Sequence, residues 1–124
     1  MRHLMFAILT ILISAGFASA NDDIQHYPDV LDASVSQHNG RFSFAVTLSS
    51  PYDSRERYAD AFRVLDPHGR VLGIRELLHD HASEQPFTRT LTNVQIPPSV
   101  TYVTIQGRDQ RFGWGGATLQ VKLP

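Results

Sequence analysis

The sequence predicts an all-β fold, a seven-stranded antiparallel sandwich of the immunoglobulin-like or fibronectin type, formed by a single domain over residues 21–124. Two observations support this prediction. Apolar residues recur at every second position, which places them on one face of a strand. Turn-forming residues separate these runs at intervals of about 8 to 12 residues, as is typical of sandwiches. The chain has no cysteine, which excludes the antibody version with its inter-sheet disulfide.

Residues 1–20 predict a signal peptide ahead of this domain. Arg2 and His3 supply a positive start, residues 4–18 are nearly all apolar, and Ala18-Ser19-Ala20 has the small-x-small pattern of a cleavage site. A membrane span needs about 20 apolar residues, more than this run provides. We therefore predict cleavage after Ala20 and a periplasmic or secreted bacterial protein without stable membrane insertion. An uncleaved anchor is the alternative.

The first two strands are predicted to form a hairpin. Asn39-Gly40 lies between two alternating runs and tolerates the positive backbone angles of a tight type I′ turn. The residues expected to face the core are Leu31, Ala33 and Val35 before the turn, and Phe42, Phe44, Val46 and Leu48 after it.

Five more strands follow. The third ends at the turn Asp66-Pro67-His68-Gly69, the fourth covers residues 70–78 and the fifth covers residues 87–91. Pro97-Pro98 forces a corner before the sixth, because neither proline can donate to a ladder. Residues 54–61 carry a weak helical possibility. The core-facing residues predicted on the third, sixth and seventh strands are Phe62, Val64, Val103, Ile105, Ala117, Leu119, Val121 and Leu123.

The charge balance argues against a nucleic-acid partner. Eleven Lys and Arg residues face 12 Asp and Glu residues, giving a net charge of -1, whereas phosphate binding requires clustered cations.

The antiparallel topology predicts where a functional site should lie. Because neighbouring strands alternate in direction, the second, fourth and sixth connections emerge at one end of the sandwich. These connections hold residues 51–58, 79–86 and 108–116, and we call this end the loop-rich pole. The opposite end has only short turns. Loops on a rigid scaffold commonly carry binding groups, so the site is predicted at the loop-rich pole.

The first functional hypothesis is a noncatalytic binding module for an unidentified protein or small-molecule ligand. Its predicted binding residues are Tyr52, Tyr58, Arg108, Arg111 and Trp114. Glycines surround Trp114, the only tryptophan, which either anchors a partner or folds back as a lid over the core. The arginines either clamp a carboxylate-bearing ligand or pair with neighbouring acids.

The alternative hypothesis is a Cu or Zn site. On a strand, His79 and His81 lie on one face, near enough to share an ion. Zinc takes three or four ligands, so Glu84, Asp109 or Asp53 would have to join them. Solvated histidines at a strand end are the simpler interpretation. No other cofactor is predicted.

An enzyme is not predicted. Ser83 lies near His81 in the sequence, but no nucleophile elbow or other catalytic context surrounds it.

Several short motifs resemble a group of small exported bacterial proteins of uncharacterised function with an immunoglobulin-like sandwich. They are Tyr58-Ala59-Asp60, Leu72-Gly73-Ile74-Arg75, Leu78-His79-Asp80-His81, Glu84-Gln85-Pro86-Phe87-Thr88-Arg89, Ile96-Pro97 and Gly113-Trp114-Gly115-Gly116. In that group a proline often separates the two histidines and a further histidine often precedes Gly-Trp-Gly-Gly, where this chain has Asp80 and Phe112. The resemblance implies a domain type and no established activity.

Overall fold

The computed structural model describes residues 24–124, which form seven antiparallel strands in two sheets. The predicted all-β, seven-stranded sandwich is confirmed. The signal peptide predicted at residues 1–20 lies outside the described residues. Within residues 24–124, no helix has the length and apolar character needed to cross a membrane. The strands are β1 (Asp29–His38), β2 (Arg41–Ser49), β3 (Ala59–Leu65), β4 (Val71–Glu76), β5 (Phe87–Val94), β6 (Tyr102–Asp109) and β7 (Gly113–Lys122).

One sheet has the order β1-β2-β5 and the other the order β4-β3-β6-β7. The fourth strand therefore pairs with β3, whereas in an immunoglobulin constant domain it pairs with the fifth strand. Alternate residues of β2 pack against alternate residues of β3 and β6, as their period of two predicts. The fully enclosed side chains of this core include Phe44, Val46, Leu48, Phe62, Val64, Val103 and Ile105.

The prediction for the start of β1 is wrong. Leu31 was expected in the core but is 52% exposed, and the preceding Val30 is buried at 5% exposure. The cause is a register shift between Val30 and Asp32 in the pairing of β1 with β2, since one extra residue moves the following side chains to the other face. Ala33 and Val35 pack against the core as predicted.

The turns at the end opposite the loop-rich pole match the sequence prediction. Asn39 and Gly40 both adopt positive φ angles, 52° and 79°, and join β1 to β2. In the next turn, Asp66 Oδ1 accepts hydrogen bonds from the backbone amides of His68 and Arg70, and Gly69 has a φ of 84°. The turns after β1 and β3 are therefore short, as predicted, whereas the connection from β5 to β6 at this end spans residues 95–101.

Two further expectations near the loop-rich pole are wrong. Ser54–Ala61 is not helical, because Ser54 bridges to Arg57 and the chain then enters β3. Gly113–Gly116 was assigned to a loop but lies within β7. The glycines let residues before β1 cross this strand closely, since a Cβ at Gly115 would lie 2.5 Å from Tyr27 Cδ1.

Candidate functional site

Asp53 joins the second connection to the fourth. This side chain is 6% exposed, and its two carboxylate oxygens hold different parts of the chain. Oδ1 accepts a hydrogen bond from the amide of Ala59 at 3.0 Å, and Oδ2 accepts one from the amide of His81 at 3.0 Å. The Tyr58 hydroxyl adds a bond to the carbonyl of Leu78 at 3.4 Å. The carboxylate thus fixes the backbone that carries the histidines.

Asp109 joins the second connection to the sixth. It is 1% exposed, and its carboxylate receives Arg57 Nε at 3.1 Å and 3.2 Å. Its Oδ2 also accepts the amides of Arg111 and Phe112, each at 2.8 Å. Arg57 Nη2 donates in turn to the carbonyl of His26 at 2.7 Å. The three connections therefore meet at one pole, as the strand order predicted.

The electrostatics around Asp109 favour its ionised form. Burial by itself would raise the pKa of Asp109, but the facing Tyr52 hydroxyl, the two backbone amides and Arg57 together lower it. The pKa of Tyr52 moves upward, because its hydroxyl is buried beside the Asp109 carboxylate. Arg57 also lies over the Tyr52 ring, with Cζ 4.2 Å from the ring centroid. Tyr52, predicted as a binding residue, therefore belongs to the packing of the pole.

His79 and His81 come together, with ring centroids 5.0 Å apart. His81 is 4% exposed and stacks on Phe87 at 3.8 Å with an interplanar angle of 6°. Its Nδ1 is enclosed and has no hydrogen-bond partner; the nearest carboxylate oxygen, Asp53 Oδ2, is 3.8 Å away. Burial lowers the pKa of His81, and the positive charges of Arg89 and His79 lower it further, against a smaller opposite effect of Asp53 and Glu84.

The four residues predicted as metal ligands do not form one cluster. Glu84 is exposed and pairs with Arg89 Nη2 at 3.1 Å, while Asp109 is held by Arg57. In the part of the chain that the structure describes, no group of three or more His, Cys, Asp or Glu side chains is arranged to hold a metal ion. The structure brings His79 and His81 together, without a third ligand of this kind.

A cleft of about 340 Å³ opens beside the histidines, at the end of the gap between β4 and β5. Arg75 on β4 extends into this gap and donates from Nη1 to the carbonyl of Thr90 on β5 at 3.0 Å. Its Nε is enclosed and has no hydrogen-bond partner. We call this space the β4–β5 cleft; it is lined by Arg75, Glu76, Leu77, Leu78, His79, His81 and Arg89.

Arg75 and Arg89 were not among the residues predicted for the site. In a regular strand, Leu72 and Ile74 would face the core and Arg75 would face solvent. A register shift near the start of β4 reverses these two faces. Arg75 therefore lies opposite the buried Phe62 and points between the sheets, while Ile74 is 42% exposed. The sequence signal for the role of Arg75 is a cationic residue within a run of alternating apolar residues.

The remaining predicted binding residues do not line the cleft, although Tyr58 and Arg108 contact its lining residues Leu78 and Glu76. Trp114 lies on the outer face of the four-stranded sheet, where Arg63 Cζ is 4.0 Å and Arg108 Cζ is 5.1 Å from its ring. Arg108 donates to Asp60 at 2.7 Å and to Glu76 at 2.9 Å. Trp114 is therefore not a lid over the core, and Arg108 pairs with acids. Arg111 is exposed.

No family model matches the chain, and no solved structure matches it. A protein of Halomicrobium mukohataei that carries the name "Putative lipoprotein" is 40% identical over 94 residues. The match covers 75% of this chain and 46% of the relative, so the chain spans about half the length of that protein.

Proposed function

We propose that the protein is a noncatalytic binding module, acting outside the cytoplasm, that takes its ligand in the β4–β5 cleft at the loop-rich pole. The predicted signal peptide and the lipoprotein name of the similar protein support a periplasmic or secreted location. The ligand site differs from the surface predicted from the sequence, because Trp114 and Arg108 lie on the outer sheet face and Tyr52 is occupied in packing.

One observation carries this proposal: of the three enclosed polar atoms without hydrogen-bond partners in residues 24–124, two, Arg75 Nε and His81 Nδ1, belong to residues of the same cleft, and the third is the Tyr52 hydroxyl. Leaving a buried donor unpaired costs about 1 to 3 kcal/mol. Natural folds leave few such groups, so each requires a structural or functional explanation. The volume of about 340 Å³ is compatible with a small ligand, but other clefts of about 380 to 420 Å³ exist, so the unpartnered polar atoms and not the volume single out this cleft.

The carboxylates near the cleft support binding over catalysis. Asp53 holds two backbone amides, Glu84 pairs with Arg89, and Glu76 pairs with Arg108. A general acid or base has to exchange its proton with a substrate, whereas each of these carboxylates already serves another group.

Thermal-shift screening of the purified protein against organic acids, sugars, amino acids and phosphates tests the proposal, with each stabilising compound mapped by amide NMR. We expect at least one compound to shift the amides of residues 75–81 in a saturable manner. Compounds that bind only on the outer face around Trp114, or a screen without any stabilising compound, would contradict the proposal.

A second candidate function is binding of Cu or Zn through the histidine pair. His79 Nδ1 lies 3.0 Å from the carbonyl of Asp80, whereas His81 Nδ1 has no hydrogen-bond partner and lies 3.8 Å from Asp53 Oδ2. An outer contact like that of His79 orients the Nε2 atom of a metal-binding histidine. Arg75 and Arg89 in the same cleft oppose a divalent cation. Calorimetric titration with Cu and with Zn tests this second function. Binding tighter than roughly micromolar that disappears when both histidines are replaced by alanine supports a metal site. Weaker binding, or binding that survives the replacement, excludes a metal site at these histidines.

A further inference from the structure

We infer that the β4–β5 cleft recognises a small organic carboxylate, and that Arg75 is the residue that binds its carboxylate group. This inference rests on the proposed function and specifies the ligand class. It depends on the charge of the cleft, on the geometry of the Arg75 guanidinium and on the apolar side chains at the rim.

The charges that line the cleft leave one guanidinium without a counterion. Glu76 pairs with Arg108 at 2.9 Å, and Arg89 pairs with Glu84 at 3.1 Å. Arg75 is half-buried and forms no ion pair with any residue in 24–124. An arginine stays ionised at every physiological pH, so this charge is partly removed from water without compensation. An anion in the cleft would supply the missing partner.

The orientation of Arg75 favours a planar, two-oxygen anion. Nη1 is used by the carbonyl of Thr90, which fixes the guanidinium across the gap between the sheets. Nε has no partner, and it shares one edge of the guanidinium with Nη2. These two donors match the two oxygens of a carboxylate in a bidentate pair. Because Nε is enclosed in the free protein, this pairing requires the guanidinium to rotate about its Nη1–Thr90 hydrogen bond so that the Nε–Nη2 edge meets the cleft.

The rim of the cleft adds apolar contact to this charge. Leu78 lines the opening and is 83% exposed, and the buried Leu77 lies next to it. A short hydrocarbon chain attached to the carboxylate would cover Leu78, which is otherwise left in water. This combination favours an organic acid over a fully hydrated inorganic anion.

Butyrate, butyramide and inorganic phosphate test the inference on the isotope-labelled full protein, at constant pH and ionic strength. Butyramide has the shape of butyrate without its charge. We expect butyrate to shift the amides of residues 75–81 and the Nε–Hε signal of Arg75 in a saturable manner, with butyramide binding at least about tenfold more weakly. Arg75→Met should weaken butyrate binding by a similar factor, and Arg70→Met, at the opposite end of the sandwich, should leave it unchanged.

Arg75→Lys keeps the charge but removes the two-donor edge, and it tests the geometry if Arg75→Met fails to fold. Weaker binding of butyrate by the lysine variant supports the inference, and binding equal to that of the unmodified protein overturns it. Equal binding of butyramide and butyrate, or saturation by phosphate alone, also overturns it while leaving a binding module in place. If no compound in the wider screen occupies the cleft, the proposed function fails as well.

Discussion

Replacement of Asp109 by alanine tests whether the loop-rich pole is held together by a buried carboxylate. The Asp109 side chain is fully enclosed and pairs with Arg57, whose side chain is 19% exposed, so the variant leaves Arg57 without its carboxylate partner. It also removes the acceptor for the amides of Arg111 and Phe112. Three donors therefore lose their partner at once, in a region that connects two loops.

The expected loss of stability follows from the burial of the pair. Removing one member of a buried ion pair costs about 3 to 5 kcal/mol, because the other charge is left uncompensated. A domain of this size has a free energy of unfolding of about 5 to 15 kcal/mol, so the variant should lose a large part of it. At about 4 to 8 °C per kcal/mol, its melting temperature should fall by at least about 12 °C.

Asp60→Ala is the matched control, since Asp60 also pairs with an arginine, Arg108, at 2.7 Å. Those side chains are 20% and 25% exposed, and Arg108 keeps Glu76, so the expected loss is below about 1 kcal/mol. Urea denaturation followed by tryptophan fluorescence or circular dichroism gives both values. Equal losses in the two variants would refute the claim that Asp109 organises the pole.

Three further predictions use other measurements. First, folding lowers the pKa of Asp109. Its contribution to stability is therefore complete above the unfolded pKa of about 3.9 and disappears as the pH falls through the lower folded pKa. Asp109→Asn should remove this pH-dependent part of the free energy of unfolding, as measured by acid denaturation. Second, Gly116→Ala should destabilise the protein more than Gly40→Ala in thermal melts. Both glycines have positive φ, where an alanine costs about 1 to 2 kcal/mol, but only at Gly116 would the added Cβ overlap the Pro28 carbonyl. Third, Arg75→Met should leave the free energy of unfolding unchanged or raise it by up to about 2 kcal/mol in urea, because an unpaired buried donor is removed; a loss of several kcal/mol would show that Arg75 is structural.

The fold was accessible from the sequence because its two signals are local. Alternation of apolar residues marks strands, and residues such as Asn39-Gly40 mark turns, so the all-β sandwich and its loop-rich pole could be predicted without coordinates. Register shifts were not accessible. The shift at Val30 and Asp32 reversed the face of Leu31, and a shift near the start of β4 turned Arg75 inward. Each depends on how two strands pair, which the alternation within one strand does not report.

The roles of the candidate site residues were harder to predict than their location. His79 and His81 lie together, with ring centroids 5.0 Å apart, but in the connection after β4, which ends at Glu76, so the strand geometry from which their pairing was predicted does not apply. The role of Asp109 as the partner of Arg57 depends on a contact between residues 52 positions apart in the chain. The glycines around Trp114 suggested a loop, but they provide space for Tyr27 and Pro28 against β7. Composition indicated which groups were available, and only tertiary packing decided which of them became paired.

That distribution of partners explains how a nearly neutral protein presents a positively charged cleft. Asp53 and Asp109, two acids of the pole, are buried where backbone amides and Arg57 consume their oxygens. The carboxylates nearest the cleft are also paired, Glu76 with Arg108 and Glu84 with Arg89. Arg75 then remains unpaired although acidic residues outnumber basic ones by 12 to 11 in the sequence. Because Asp53 holds the amide of His81, which lines the cleft, we expect Asp53→Asn to lower the free energy of unfolding and, if the proposed carboxylate site exists, to weaken butyrate binding as well.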